Sequence, residues 1–232
     1  MLTIFNFPSP NGLKISIMAL ECGVTHEVRP IDILKGEQFD PEFLKISPNN
    51  KIPAMIDEDA AGGPLALFES GAILEYLAEK SGRFLPTAQR WEIKAWLYWQ
   101  MSALGPMAGQ AHHFRKFAPE KLDYAVKRYT DELNRLYGVL DRRLAGRDYV
   151  CDVLSIADFA CWPWVRHHDW QGQSLGDFPN VARWFDRIGE REAVKRAIAL
   201  GDVRPAPREA YKFLYGQTAA TLASRVGDGR DE

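Results

Sequence analysis

Period-2 alternation is confined to the first 68 residues of this 232-residue chain, and no convincing run of it reappears after Gly82-Arg83-Phe84-Leu85-Pro86. A chain that stops alternating so early cannot carry one sheet through its length, so two architectures must follow one another. In the first, residues 2–7 read as a short strand. Pro8-Ser9-Pro10-Asn11-Gly12 reads as a turn opening onto a helix over 13–21, where Ile15, Met18 and Ala19 share a face and Gly23 ends it. Residues 27–33 carry Val28 and Ile31 but also Pro30, which cannot donate to a ladder and so puts this strand at a sheet edge. Residues 41–46 read as one or two helical turns. Residues 54–57 and 65–68 flank Gly62-Gly63 as an antiparallel hairpin. Ser70 then starts a helix with Ile73, Leu74 and Leu77 on one face and Gly82 as its stop.

The order β-α-β-α-β-β-α is a parallel βαβ unit followed by a hairpin and a closing helix, the thioredoxin-like arrangement. Past residue 90 only helices are expected. One covers 91–117 with a bend at Gly105-Pro106, because proline removes a backbone donor and clashes with the preceding turn. The clearest amphipathic helix covers 119–144, with Leu122, Val126, Tyr129, Leu133, Leu136, Leu140 and Leu144 at three- and four-residue steps. Ser155-Ile156-Ala157-Asp158 is a capping box that opens another, and two shorter helices follow over 179–190 and 192–200. The predicted organisation is an α/β thioredoxin-like domain over 1–82, a linker over 83–90 and an all-α domain over 91–205. A polar, Pro-containing extension over 206–232 follows, partly disordered, with disorder expected at 227–232.

With 29 Lys+Arg against 31 Asp+Glu the net charge is −2, so no positive field draws in nucleic acid or anionic lipid. The longest nearly uncharged run, residues 95–113, is interrupted by Gln100, Gly105, Pro106 and Gln110 and makes a poor membrane span. The start, Met1-Leu2-Thr3-Ile4-Phe5, lacks a basic region, and a cytoplasmic location is expected. Cys22, Cys151 and Cys161 are an odd number without C-x-x-C, which argues against a disulfide framework and against an intrinsic dithiol centre. His26, His112, His113, His167 and His168 lack an H-x-x-x-H spacing, and no metal site is expected.

Over about residues 1–205 the chain resembles the cytosolic-type glutathione transferases. The resemblance rests on Ser47-Pro48-Asn49-Asn50-Lys51-Ile52-Pro53-Ala54, on Phe68-Glu69-Ser70-Gly71-Ala72-Ile73-Leu74-Glu75-Tyr76-Leu77 and on the capped Ser155-Ile156-Ala157-Asp158-Phe159-Ala160. Pro8-Ser9-Pro10-Asn11-Gly12-Leu13-Lys14, Leu104-Gly105-Pro106-Met107 and Gln110-Ala111-His112-His113-Phe114 are similar to the bacterial Nu class, relatives of the yeast prion-like nitrogen regulator.

In thioredoxin-like proteins the loop after the first strand and the start of the first helix form the active centre. Here that loop holds Ser9, Pro10, Asn11 and Gly12 and no cysteine, so the attacking thiol must be borrowed, with glutathione as its source. A free thiol has a pKa of about 8.5, and donated hydrogen bonds with the positive end of a helix favour its thiolate. The Nu-class resemblance implies Asn11 as the thiolate's partner, with Ser9 second; both residues also serve as plain helix caps. It further implies a cis Ile52-Pro53 whose Ile52 backbone pairs with the cysteinyl part of glutathione. Ser70 would hold the γ-glutamyl carboxylate and Glu69 its ammonium, unless the pair is only a helix cap. Gln38 and Lys51 are expected near the rest of the tripeptide. Arg128 matches a glutathione-contacting position of the class, with a solvated charge as the alternative.

A second-substrate pocket is expected between the domains, lined by Met107, Gln110, His113 and Phe114, whereas Trp96, Tyr98, Trp99, Trp162, Trp164 and Trp184 are assigned to core or dimer interface. The resemblance implies a homodimer acting on glutathione and a small disulfide or electrophile. Disulfide reduction is the leading activity; conjugation or thioether or peroxide cleavage is the second, and a non-catalytic regulatory protein the third. Tyr211, Phe213 and Tyr215 run beyond the usual helical domain and would cover the pocket or dock on a partner subunit.

Overall fold

The computed structural model describes residues 1–201, 206–220 and 222; the disorder expected at 227–232 lies outside the described residues. β1 (Leu2–Asn6) is buried along its whole length. It pairs in parallel with β2 (His26–Pro30) and antiparallel with β3 (Ala54–Asp57), so that Ile4 lies between Val28 and Met55. β4 (Leu65–Phe68) completes the order β2-β1-β3-β4, with Pro30 in an edge strand as its missing N–H requires.

Helix α1 (Pro10–Cys22) starts three residues earlier than the pattern predicts. Ser9 is its N-cap, its Oγ accepting from the Gly12 N–H at 3.0 Å, and Pro10 sits in the first turn, where no N–H is needed. Gly12 lets that turn press against the end of β1: a Cβ there would lie 2.2 Å from Asn6 Oδ1 and 2.3 Å from the Phe7 carbonyl oxygen. α2 (Pro41–Ile46) and α3 (Ser70–Ser81) complete the first half.

The predicted helix over 91–117 is broken differently from a simple proline bend. α4 (Arg90–Trp99) widens into a π-helical segment at Gln100–Leu104 immediately before α5 (Gly105–His112), and a second π segment, His113–Phe117, follows. Pro106 has no N–H to give the preceding turn, and the wider turn accommodates that loss. α6 (Asp123–Leu144) starts four residues later than the period suggests. Leu133, Leu136, Leu140 and Leu144 are buried as the stripe requires, but Leu122 is exposed. α7 (Ile156–Val165), α8 (Pro179–Gly189) and α9 (Glu192–Ala199) complete the second half. Among the described residues no helix is long and apolar enough to cross a membrane.

One core runs through both halves, joining Ile15, Met18, Leu74 and Leu77 to Leu97, Leu136, Phe159 and Trp184. Polar links cross the same boundary. Arg191 grips the Glu21 carboxylate through Nε and Nη2, the latter at 2.8 Å, and the Ile156 N–H donates to the Phe84 carbonyl at 3.1 Å. The capping box of α7 is present. Buried Asp158 accepts from the Val150 and Ser155 N–H groups and from the Trp184 indole, each at 2.9 Å. Asp158→Ala would leave these three donors buried without an acceptor. It should cost at least about 3 kcal/mol, read as a lowered midpoint of urea unfolding, whereas an unchanged midpoint would rule out the carboxylate as their anchor.

Candidate active site

The N-terminus of α1, the segment before β3 and the N-terminus of α3 meet at one end of the sheet. A cavity of about 210 Å³ there is lined by Asn11, Ser47, Lys51, Ile52, Pro53, Glu69 and Ser70. It adjoins one of about 890 Å³ that shares Asn11, Lys51, Glu69 and Ser70 and continues along α5 past Gln100, Gln110, His113 and Trp164. Six of the nine expected site residues are therefore gathered around one opening. The Ile52–Pro53 peptide is cis. Glu69 joins β4 to α3 with φ at 72°, a costly conformation for a residue with a side chain, and Ser70 opens the helix directly after it. The first N–H groups of α1 and α3 have no partners within their helices, so this end of the sheet carries the positive ends of two helix dipoles.

Beneath Asn11, one turn along α1, lies Lys14, wholly buried. Its Nζ donates to Gln100 Oε1 at 2.8 Å and to Ser70 Oγ at 3.3 Å. Burial pulls this ammonium from the ordinary 10.5 down to about 7, against the opposing pull of Cys161 and Glu69. Burial also lowers the Lys51 ammonium. Asn11 accepts at Oδ1 from the Trp164 indole N–H at 3.1 Å.

The other expected residues stand elsewhere. Ser9 faces a separate cavity of about 150 Å³ on another side of α1, and its hydroxyl is engaged as the helix cap. Gln38 is buried and donates through Nε2 to the Phe213 carbonyl at 2.9 Å. Arg128 is exposed on α6 and lines neither of the two adjoining cavities. Of the pocket residues expected on the bent helix, Gln110 and His113 line the larger cavity. Phe114 instead stacks on Tyr129 at 5.3 Å, and Met107 packs against the core. The C-terminal segment lies over the opening: Tyr215 lines the cavity 4.7 Å from the His113 ring, and Gln217 meets Asn50 at 3.4 Å. Sequence reasoning missed Lys14, Gln100 and Trp164. A lysine three residues after Asn11, on the same face of an otherwise apolar helix, was the one signal available for the first.

The three cysteines are far from thiolate chemistry. Cys151 and Cys161 are buried, and burial pushes the Cys151 thiol up to about 12 and Cys161 higher still. Cys22 is half-buried and also raised, and none of the three lines either of the adjoining cavities.

A thioredoxin-like sheet joined to a helical half, with an opening between them and no cysteine at the start of the first helix, is the architecture of the glutathione S-transferase class. Residues 1–79 match the glutathione S-transferase N-terminal domain and residues 104–192 the C-terminal domain, and the chain belongs to this family. It is 47% identical over 212 residues to disulfide-bond oxidoreductase YfcG of Escherichia coli, covering 88% of this chain and 99% of that protein. With disulfide-bond oxidoreductase YghU of the same organism it shares 41% identity, over 84% of this chain and 73% of the relative. A Pseudomonas putida glutathione transferase solved with one glutathione disulfide per subunit superposes with a TM-score of 0.81 at 43% identity, over 84% of this chain and 90% of that one.

Lys14 is neutral above about pH 7 in the folded chain, while an unfolded lysine holds its proton to about 10.5. The unfolded state then binds more protons, so stability rises with pH across that window. Between pH 7 and 9 the urea midpoint of the wild type should rise relative to that of Lys14→Met; midpoints that move in parallel would exclude a depressed Lys14.

Proposed function

We propose that this chain is a glutathione-dependent disulfide oxidoreductase of the Nu-class type. The observation that carries the proposal is an opening with Asn11 at a helix N-terminus and no protein thiol within it, in a chain 47% identical to a disulfide-bond oxidoreductase. Glutathione lies with its γ-glutamyl carboxylate at Ser70 and the start of α3, its ammonium at Glu69 and its cysteinyl backbone along Ile52. Lys51 completes its surroundings, whereas Gln38, held by the Phe213 carbonyl, and Arg128, exposed on α6, stand away from both cavities. The sulfur sits at Asn11, where the side-chain amide and the positive end of α1 favour the thiolate, and Ser9 supports the turn that presents them.

The thiolate attacks one sulfur of a disulfide, forming a mixed disulfide with glutathione and expelling the other half as a thiolate that takes up a proton. A second glutathione thiolate then attacks the glutathione sulfur of that adduct, releasing the remaining thiol and leaving oxidised glutathione. Two electrons pass from two glutathiones to the substrate, and no protein sulfur changes state. The larger cavity supports this reading because it leaves space beside the sulfur for a second group. The chain acts as a cytoplasmic homodimer, divided at residues 82–90 as the change of pattern indicates. Trp91 and Tyr98, seven residues apart on one face of α4, are exposed and offer apolar area for such an interface.

The deciding experiment compares glutathione-driven reduction of a small disulfide with glutathione conjugation to a chloronitroarene on dialysed protein. Strong reduction with feeble conjugation is expected; the reverse would make the chain a transferase, and silence in both without glutathione binding would leave a regulatory protein. Asn11→Ala should lower disulfide turnover at least about tenfold with the fold intact, since such a donor acts where charge develops; full turnover would remove Asn11 from the mechanism. A variant with all three cysteines replaced by alanine or serine should keep its disulfide turnover, and complete loss in a folded variant would implicate a protein thiol.

A further inference from the structure

Trp164 stands near the end of α7, in the helical half, and its indole N–H reaches Asn11 Oδ1 on α1 at 3.1 Å. The chemistry of the pair is one-sided. An indole nitrogen only donates, so it selects the oxygen of the carboxamide and turns the amide nitrogen the other way. Asn11 lines both adjoining cavities, and its Nδ2 has no protein partner among the described residues. The ring itself is seated by two glycines one turn apart on α5. A Cβ at Gly105 would stand 3.4 Å from the indole nitrogen, and one at Gly109 would stand 3.5 Å from the far edge of the ring. Both positions thus leave a Cβ at van der Waals contact distance from the indole, and at Gly105 its nearer neighbour is Gln100 Nε2 at 2.7 Å.

We propose that Trp164 is a positioning residue for glutathione chemistry: its indole N–H holds Asn11 Oδ1, so that the Asn11 amide N–H group is presented to the sulfur in the cavity. This rests on Asn11 being the thiolate's partner and assigns the orientation of its amide to a residue of the other half of the molecule. Without the indole, the carboxamide is free to rotate or to turn its oxygen toward the sulfur, where an acceptor repels a thiolate instead of stabilising it.

Trp164→Phe keeps an aromatic ring over Gly105 and Gly109 but removes the N–H. Its kcat for disulfide reduction should fall about tenfold while KM for glutathione changes less than about twofold. The pKa of enzyme-bound glutathione, followed by thiolate absorbance in the ultraviolet, should rise. In an Asn11→Ala background the same substitution should cost no more than about a further twofold. Equal losses in both backgrounds would mean that Trp164 acts by packing alone and would overturn the proposal. Wild-type turnover in Trp164→Phe alongside a damaged Asn11→Ala would overturn the latch and leave Asn11's role standing; wild-type turnover in Asn11→Ala would remove both. Should Trp164→Phe fail to fold, the indole ¹H–¹⁵N signal of Trp164 provides an independent readout. It should move upfield and exchange faster in Asn11→Ala, and an unmoved signal would exclude the bond.

Discussion

Burial of helix α1 is the constraint on which the rest of the structure depends. It packs on α3 within its own half and on α7 and α9 of the other, with Ile15, Ile17, Met18 and Ala19 fully out of water. A helix covered on several sides cannot shift without opening the shared core in both halves at once. Its N-terminus is fixed more tightly still, because Gly12 touches the end of β1 and Asn6 Nδ2 donates to the Gly12 carbonyl at 3.2 Å. Asn11 is thereby held at a set place and direction relative to Ser70 and the Ile52–Pro53 segment, as a reacting sulfur requires.

The electrostatics of the opening follow from the same packing. Two helix N-termini and Lys51 face one carboxylate, Glu69, with Lys14 adding its charge only below about pH 7, so the site as a whole favours an anion. Lys14 is the unusual member. A buried ammonium is costly unless it is paired, and here its partners are two neutral oxygens with Glu69 acting at longer range, which is why the charge is held weakly. An arriving carboxylate would be the missing counter-charge, separated from Nζ by the Ser70 hydroxyl. The π-helical turn before Pro106 matters in this setting, because it carries Gln100 into contact with Lys14 and ties the helical half to the floor of the opening.

Much of the fold was legible because its signals are local. The Gly62-Gly63 hairpin, Pro30 at the edge, the Ser155–Asp158 box and the glycines that stop α1 and α3 each act within a few residues. The differences are local too: Ser9-Pro10 reads as a turn, although Pro in a first turn with Ser before it opens a helix equally well. The site was legible only where a motif is continuous, as in Lys51-Ile52-Pro53 and Glu69-Ser70. Pairings between distant residues left no periodic trace. Gln38 meets the Phe213 carbonyl across 175 positions and Asn11 meets Trp164 across 153, so Trp164, expected in the core or a dimer interface, packs against the core and also lines the cavity. Arg128 shows the converse: a match of position on the polar side of α6 says nothing about whether the side chain reaches the opening.

The placement of Trp164 also connects stability to the site through a single helix. α7 begins at the capping box, where Asp158 holds the Val150 and Ser155 N–H groups and the Trp184 indole, and it ends one residue after Trp164. At a rise of about 1.5 Å per residue the two points are about 9 Å apart on one helix, with Pro163 inside its last turn. The buried carboxylate therefore does more than satisfy a helix end: it ties down the first turn of the same helix whose last turn carries the indole against Gly105 and Gly109. A change that frays the first turn of α7 would act on Asn11 from outside the cavity, through the Trp164 indole at the other end of the helix and through the packing of α7 on α1.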